Sequence, residues 1–287
     1  MNEQPRSDTR QVTRLARGMP ASDGAGVRLT RVIGTPYLDA VDPFLMLDEF
    51  RSDNADGYIA GFPEHPHRGF ETVTYMLAGR MRHGDNQGNS GVLEPGGLQW
   101  MTAGRGIVHS EMPEQSDGLM WGFQLWVNLP AGRKMTAPRY QDIPPAEVPV
   151  IIPATGVRLR VLAGTVEGVE GPVRGIDVDP LAVDIALDAG AAHRLTLPAD
   201  HAAFVYCFEG GLSVGEGDAA RAVARGELAV LSEGGSVRIA AGGDAGGRGL
   251  LVAGRPLREP VARHGPFVMN SREELMQAFA DYRDGRL

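Results

Sequence analysis

The chain has 287 residues, which is room for about two domains of ordinary size. Its 43% hydrophobic and 22% charged residues are usual for a globular protein, while 39 glycines and 20 prolines favour many turns over long helices. A single cysteine, Cys207, excludes a disulfide framework within the chain and an all-cysteine zinc site; 28 basic against 36 acidic residues, a net charge of −8, argues against a nucleic-acid module in either half.

Residues 1–20 read as a polar N-terminal segment. It carries Arg6, Arg10, Arg14 and Arg17, but no apolar stretch of a secretory signal follows. Nowhere does an apolar run reach the roughly 18 residues of a membrane span. A cytoplasmic location without a membrane partner is the expectation. From Val27 the chain alternates through Leu29, Val32 and Ile33, the pattern of a half-buried strand. Phe70–Leu77, rich in β-branched and aromatic residues, reads as a strand that Gly79 ends. Short strands are predicted around Met81, at 91–93, 98–102 and 107–111, and over Trp121–Leu129. Strands at this spacing point to an all-β barrel or sandwich. Five prolines between Pro138 and Pro153 suggest a stiff linker. Strand candidates resume at 157–164, 182–187, 193–197, 203–208, 226–231, 237–240 and 250–253. Ser271-Arg-Glu-Glu274 is a capping box, and Leu275, Phe279 and Tyr282 share one face of a short C-terminal helix.

Two short stretches recur. Tyr75–Gly79 resembles Tyr206–Gly210 at an offset of 131, and Gly96–Gly104 resembles Gly226–Gly234 at 130. Chance similarity between Gly-ended strands is one explanation. Two near-equal offsets favour a duplicated β domain.

The chemistry concentrates in two pairs. His65-Pro66-His67 places two imidazoles on one face of an extended chain, and His109-Ser110-Glu111 does the same with an imidazole and a carboxylate. One such pair occurs on surfaces by chance. Two pairs on short, glycine-bounded strands can present three nitrogens and one oxygen to a divalent transition metal. That donor set suits Fe(II), Mn(II), Ni(II) or Co(II), with Cu(II) a further option.

The surrounding strings resemble the pirin family of bicupins. They are His65–Tyr75 (HPHRGFETVTY) and Leu98–Pro113 (LQWMTAGRGIVHSEMP), with 42–50, 125–130 and 134–140 around them and 256–260 and 264–270 near the C-terminus. The resemblance implies two jelly-roll-like cupin barrels. It also implies a metal held by His65, His67, His109 and Glu111, with Fe(II) foremost. A general cupin pattern would take Glu71 as the carboxylate ligand; the family pattern takes Glu111. Glu71 then either orients a ligand imidazole through its free N–H or faces solvent on its strand. His83, Gln99 and Gln124 are further polar candidates beside the site, and Phe44, Phe70, Met101 and Trp121 are candidates for an apolar wall. By the offsets, the second domain has Thr196, Pro198, Ile239 and Ala241 at the ligand positions, so it is expected to be metal-free. His193 and His201 are read as structural, and Cys207 as a buried thiol.

The expected organisation is a polar segment (1–20), a metal-binding cupin domain (21–140), a Pro-rich linker (141–155), and a metal-free cupin domain (156–287) ending in the helix. The activity the resemblance implies is quercetin 2,3-dioxygenase. A flavonol-like aromatic substrate and dioxygen would be its partners, and Glu111 would take the flavonol proton. The alternative is a non-catalytic module in which iron redox state tunes binding to a transcription regulator or a metabolic enzyme. That role needs a protein partner, because no basic patch supports direct nucleic-acid contact. A metal-binding stress protein with another small substrate is the third reading.

Overall fold

In the computed structural model, which describes residues 8–287, the alternating segments form antiparallel strands joined by glycine-rich turns. The first seven residues of the polar segment lie outside the described residues. The part that follows them includes a strand. β1 (Val12–Arg17) forms a ladder with residues 227–231.

The next eleven strands build the first barrel. They are β2 (Met19–Asp23), β3 (Val27–Ile33), β4 (Phe44–Ser52), β5 (Phe62–His67), β6 (Phe70–Ala78) and β7 (Met81–Asp85). β8 (Ser90–Leu93), β9 (Leu98–Thr102), β10 (Ile107–Pro113), β11 (Met120–Asn128) and β12 (Arg139–Ile143) complete it. A seven-stranded sheet runs β12-β9-β6-β11-β4-β3-β2, and a four-stranded sheet runs β5-β10-β7-β8. Glu111 of the small sheet accepts hydrogen bonds from Thr74 and Gln124 of the large one, so the two sheets face each other. Burial on β10 has a period of two, with Ile107, His109 and Glu111 inward.

The second barrel contains β13 (Val150–Ala154), β14 (Val157–Ala163), β15 (Thr165–Val166), β16 (Val169–Glu170), β17 (Leu181–Leu187) and β18 (Ala192–Thr196). It continues with β19 (Ala202–Val214), β20 (Arg221–Ala224), β21 (Glu227–Leu231), β22 (Ser236–Ala241) and β23 (Gly247–Gly254). Its main path is β1-β21-β19-β23-β17-β14-β13; the long β19 also pairs with β20 and β22. The interior is aliphatic. Val161, Val183, Ile185, Val205, Leu212, Ile239 and Leu251 pack into one cluster, which includes Cys207. Burial pushes the Cys207 thiol up to about 11, so it stays protonated at neutral pH.

The chain closes with β24 (Ala262–His264), β25 (Phe267–Met269) and α1 (Arg272–Arg283). The capping box forms as expected, with Ser271 Oγ accepting from the Glu274 amide. The buried face of α1 is Leu275 and Ala278, while Phe279 and Tyr282 lie at its margin with their rings against Phe267.

The expected domain limits differ from the packing. One unit comprises Met19–Glu147 with Leu257–Leu287; the other comprises Val148–Pro256 with the described residues up to Gly18. The terminal hairpin and helix therefore belong to the first barrel, although they follow the second in sequence. The segment 141–155 is no free linker, since β12 ladders onto β9 and β13 onto β14. Both are end strands of their sheet paths, where proline is tolerated because one side of the backbone needs no ladder partner. Among the described residues, no helix is long and apolar enough to cross a membrane.

Candidate metal centre

The antiparallel register of β5 and β10 sets His65 opposite His109 and His67 opposite Ile107. Pro66 removes a backbone donor between the two histidines, and their rings fall on one face. The ligand nitrogens of His65, His67 and His109 all lie within 4.8 Å of one another. Ring centroids of His109 are 4.4 Å from His65 and 5.1 Å from His67.

Hydrogen bonds fix the tautomers. His65 Nδ1 donates to the Pro63 carbonyl at 2.8 Å, and His67 Nδ1 donates to that of Pro266 at 3.4 Å. A carbonyl only accepts, so in the neutral rings both Nε2 atoms carry lone pairs. These two atoms face each other at 3.1 Å. Two lone pairs at that separation repel unless a cation lies between them. Both ring nitrogens of buried His109 lack a hydrogen-bond partner among the described residues, which in a protein interior is costly. The donor set therefore fits a divalent metal. Burial, then the rings of His109 and His65, hold His67 well below the ordinary histidine range. Burial lowers His109 to about 4, against the opposing charge of Glu111. The His67 and His109 lone pairs are thus available at neutral pH without proton competition.

Glu111 lies one pleat further along β10, past a register shift relative to β5. It is buried. Its Oε1 accepts from Thr74 Oγ1 at 2.8 Å and its Oε2 from Gln124 Nε2 at 2.7 Å. Of the polar candidates, Gln124 alone touches this carboxylate. His83 and Gln99 instead share Asp142: His83 Nε2 lies 3.1 Å from Asp142 Oδ2, and Gln99 Nε2 donates to Oδ1 at 2.8 Å. Glu71 orients no ligand imidazole. It is buried and accepts from Thr102 Oγ1 at 2.6 Å, because β6 places it directly opposite Thr102 on β9. Backbone carbonyls of Pro63 and Pro266 take the imidazole protons in its place.

A cavity of about 550 Å³ opens onto His65 and His67. Its apolar wall is Met46, Phe62 and Trp126. The expected wall residues lie elsewhere. Phe44 and Met101 are core, and Trp121 donates its indole N–H to Glu49 at 2.8 Å. Phe70 lies behind His67, with ring centroids 4.9 Å apart.

Sequence reading missed Thr74 and the part played by the C-terminal hairpin. Thr74 was readable in principle, as a polar residue in phase with Gln99 and Gln124 once the strands are paired. The hairpin was not. Besides the Pro266 carbonyl, it brings Val268, whose amide donates to the Arg68 carbonyl at 3.0 Å. Arg68 Nη1 pairs with Asp281 Oδ2 of α1 at 2.7 Å, and its Nε donates to the Arg105 carbonyl. Lys134 Nζ, fully buried, donates to the carbonyls of Gly69 and Val268 at 2.7 and 3.1 Å and to Asn128 Oδ1 at 2.7 Å. Residues 67–69 are thereby clamped from the far end of the sequence.

Comparison with known proteins agrees with this geometry. Residues 26–127 match the family model described as Pirin, and 182–287 match Pirin C-terminal cupin domain. A pirin-like protein of Caulobacter vibrioides is 54% identical over 96% of this chain and 99% of its own length. Human Pirin is 43% identical over 97% of this chain and 94% of its own. The crystal structure of quercetin 2,3-dioxygenase from Acinetobacter baumannii is 31% identical with a TM-score of 0.88, covering 97% of this chain and 98% of that one. The two matched cupin domains, the shared fold and the three-histidine cluster lead to one conclusion: this chain belongs to the pirin family.

Proposed function

We propose that this protein is a metal-dependent dioxygenase that opens the ring of a flavonol such as quercetin with dioxygen and releases carbon monoxide. The observation that carries the reading is the convergence of three imidazole ligand nitrogens, with His65 and His67 on the wall of a cavity and the buried Glu111 two residues beyond His109 on the same strand. The metal would be held by His65, His67, His109 and Glu111, with Fe(II) foremost. Such an ion supplies Lewis acidity and one-electron chemistry toward dioxygen.

The chain supplies the rest. Met46, Phe62 and Trp126 give the aromatic rings an apolar seat that excludes water. Glu111 takes the 3-hydroxyl proton of the flavonol on a carboxylate oxygen. Thr74 and Gln124 each donate to that carboxylate, one to each oxygen, so its orientation is set before substrate arrives. Burial keeps His67 and His109 neutral, so a proton parked on Glu111 has no competing acceptor in these rings.

The test is to load the protein anaerobically with Fe(II), then admit quercetin and oxygen. Carbon monoxide is trapped on reduced haemoglobin and read from its spectrum. Release in proportion to bound iron, reduced at least about a hundredfold in Glu111→Gln, is the expected result. No carbon monoxide above the metal-free control, at full iron occupancy, would overturn the proposal.

A further inference from the structure

Two arginines line the cavity beside the histidine cluster, and they differ in how their donors are used. Arg31 is satisfied. Its Nε and Nη2 grip the Asp48 carboxylate at 2.9 and 2.7 Å, and Nη2 also reaches Asp23 at 2.8 Å. Arg263 has no carboxylate partner among the described residues. Its Nη1 donates to the Leu45 carbonyl at 2.9 Å, and its guanidinium lies over the Trp126 ring, 4.9 Å from the centroid. Those two contacts fix the group and leave Nε and Nη2 without a partner among the described residues.

Its position is as informative as its bonding. Trp126 touches both groups, meeting the His67 ring edge-on at 5.3 Å between centroids and carrying the Arg263 guanidinium over its face at 4.9 Å. The hairpin that carries Arg263 also carries Pro266, whose carbonyl takes the His67 proton. Arg263 and His67 are thus tied to one element, on the wall of one cavity. A planar, permanently charged fork with free donors, stacked on an aromatic wall, is suited to receive an anionic oxygen carried on a ring.

We propose that Arg263 is a specificity-determining residue, and that the cavity selects an aromatic ligand bearing a second, anionic oxygen, carboxylate or phenolate, remote from the oxygens directed at the histidine cluster. This rests on the proposed function in taking the cavity as the substrate site. It goes further in stating which flavonol-like compounds bind.

The experiment uses the full chain loaded with Ni(II) and kept free of dioxygen, so that binding is measured without turnover. Calorimetry gives the dissociation constants of 3-hydroxyflavone and its 4′-carboxy derivative, and of benzoate against benzamide. The wild type should bind each carboxylate at least about tenfold more tightly than its neutral partner, the usual scale of a charge-assisted hydrogen bond. Arg263→Gln should abolish both preferences and leave the neutral ligands within about twofold; Arg263→Lys should retain part of them. Nickel stoichiometry and melting temperature of each variant control for loss of the Leu45 and Trp126 contacts. Equal loss for charged and neutral ligands would assign Arg263 a purely structural role and overturn the proposal. So would a carboxylate preference that survives in Arg263→Gln, or the absence of any preference in the wild type. If neither flavone binds but benzoate still exceeds benzamide by way of Arg263, the anion site stands and the flavonol reading fails.

Discussion

Lys134 is the lone lysine of the chain and is buried where three segments of the first barrel meet. Lys134→Met keeps the unbranched stem, one atom shorter, and removes the charge. Three charge-assisted hydrogen bonds vanish, each contributing about 1.5–3 kcal/mol. Against this, methionine need not bury an ammonium. Burial lowers the Lys134 pKa from 10.5 to about 8, a cost of about 3.4 kcal/mol for the charged form. The balance is a net destabilisation of about 3 kcal/mol at pH 7, measured by urea unfolding of metal-free protein. The pH dependence has a definite sign. Between pH 8 and 10.5 the unfolded chain still holds the lysine proton while the folded chain has released it, so wild-type stability rises through that window. The gap between wild type and Lys134→Met, in which other titrating groups cancel, should widen there by up to about 3 kcal/mol. Melts that agree within about 0.5 kcal/mol at pH 7 would refute the three-way clamp. A gap that stays constant from pH 8 to 10.5 would show that the three acceptors hold the ammonium against its burial.

Three further outcomes follow from the same geometry. With His109 lowered to about 4, the unfolded chain binds a proton below pH 6.5 that the folded chain refuses; metal-free protein should lose up to about 3 kcal/mol of stability between pH 6.5 and 4, and the His109 share of that loss should be absent in His109→Leu urea melts. Thr74→Val strips the donor from Glu111 Oε1 in a buried setting and should weaken Fe(II) binding and carbon monoxide release by about tenfold or more, read by metal competition and by the haemoglobin assay. Gly69 has φ +87°, and a Cβ there would come 1.9 Å from the Val268 carbonyl oxygen, so Gly69→Ala should cost more than about 3 kcal/mol in thermal or urea unfolding.

Much of this fold is legible residue by residue. Leu98–Thr102 and the strand at Phe70 are read within a residue or so, because alternation, β-branching and a terminal glycine all agree there. The histidine pairs are legible because a period of two puts them on one face whatever the strand pairs with. β1 was hidden for a physical reason. Most of its residues are exposed, so no hydrophobic alternation marks it. What fixes that segment is long-range. It ladders onto β21, and the buried guanidinium of Arg10 donates to the carbonyls of Pro198, His201 and Gly234 at 2.7–2.8 Å. The C-terminal helix announces its caps and one apolar stripe, yet a stripe does not say which barrel it will cover. That choice lies in single contacts such as Arg68–Asp281, two hundred residues apart, which leave no periodic trace.

The least legible feature is also the one that locates the site. Cross-strand partners place Asp48, Gln124, Thr74, Gln99 and Asp142 side by side on β4, β11, β6, β9 and β12, one polar residue per strand at a single level of the large sheet. Directly paired residues share a face, so the row lies along the wall that meets Glu111. Its members are partnered among themselves or with Arg31, Glu111 and His83, which offsets the cost of burying Asp48, Thr74 and Gln99. A slip of one residue in β11 would turn Gln124 away and aim Phe123 or Leu125 at the carboxylate. The pairing guards against this. β11 is regular against both neighbours over Gly122–Trp126, and its register shifts fall just outside, between Trp121 and Gly122 toward β6 and between Trp126 and Val127 toward β4. Gln124 is the centre of that window. Each polar residue of the row, met singly in the sequence, looks like an interruption of an apolar strand. Only the register shows that the interruptions fall in line.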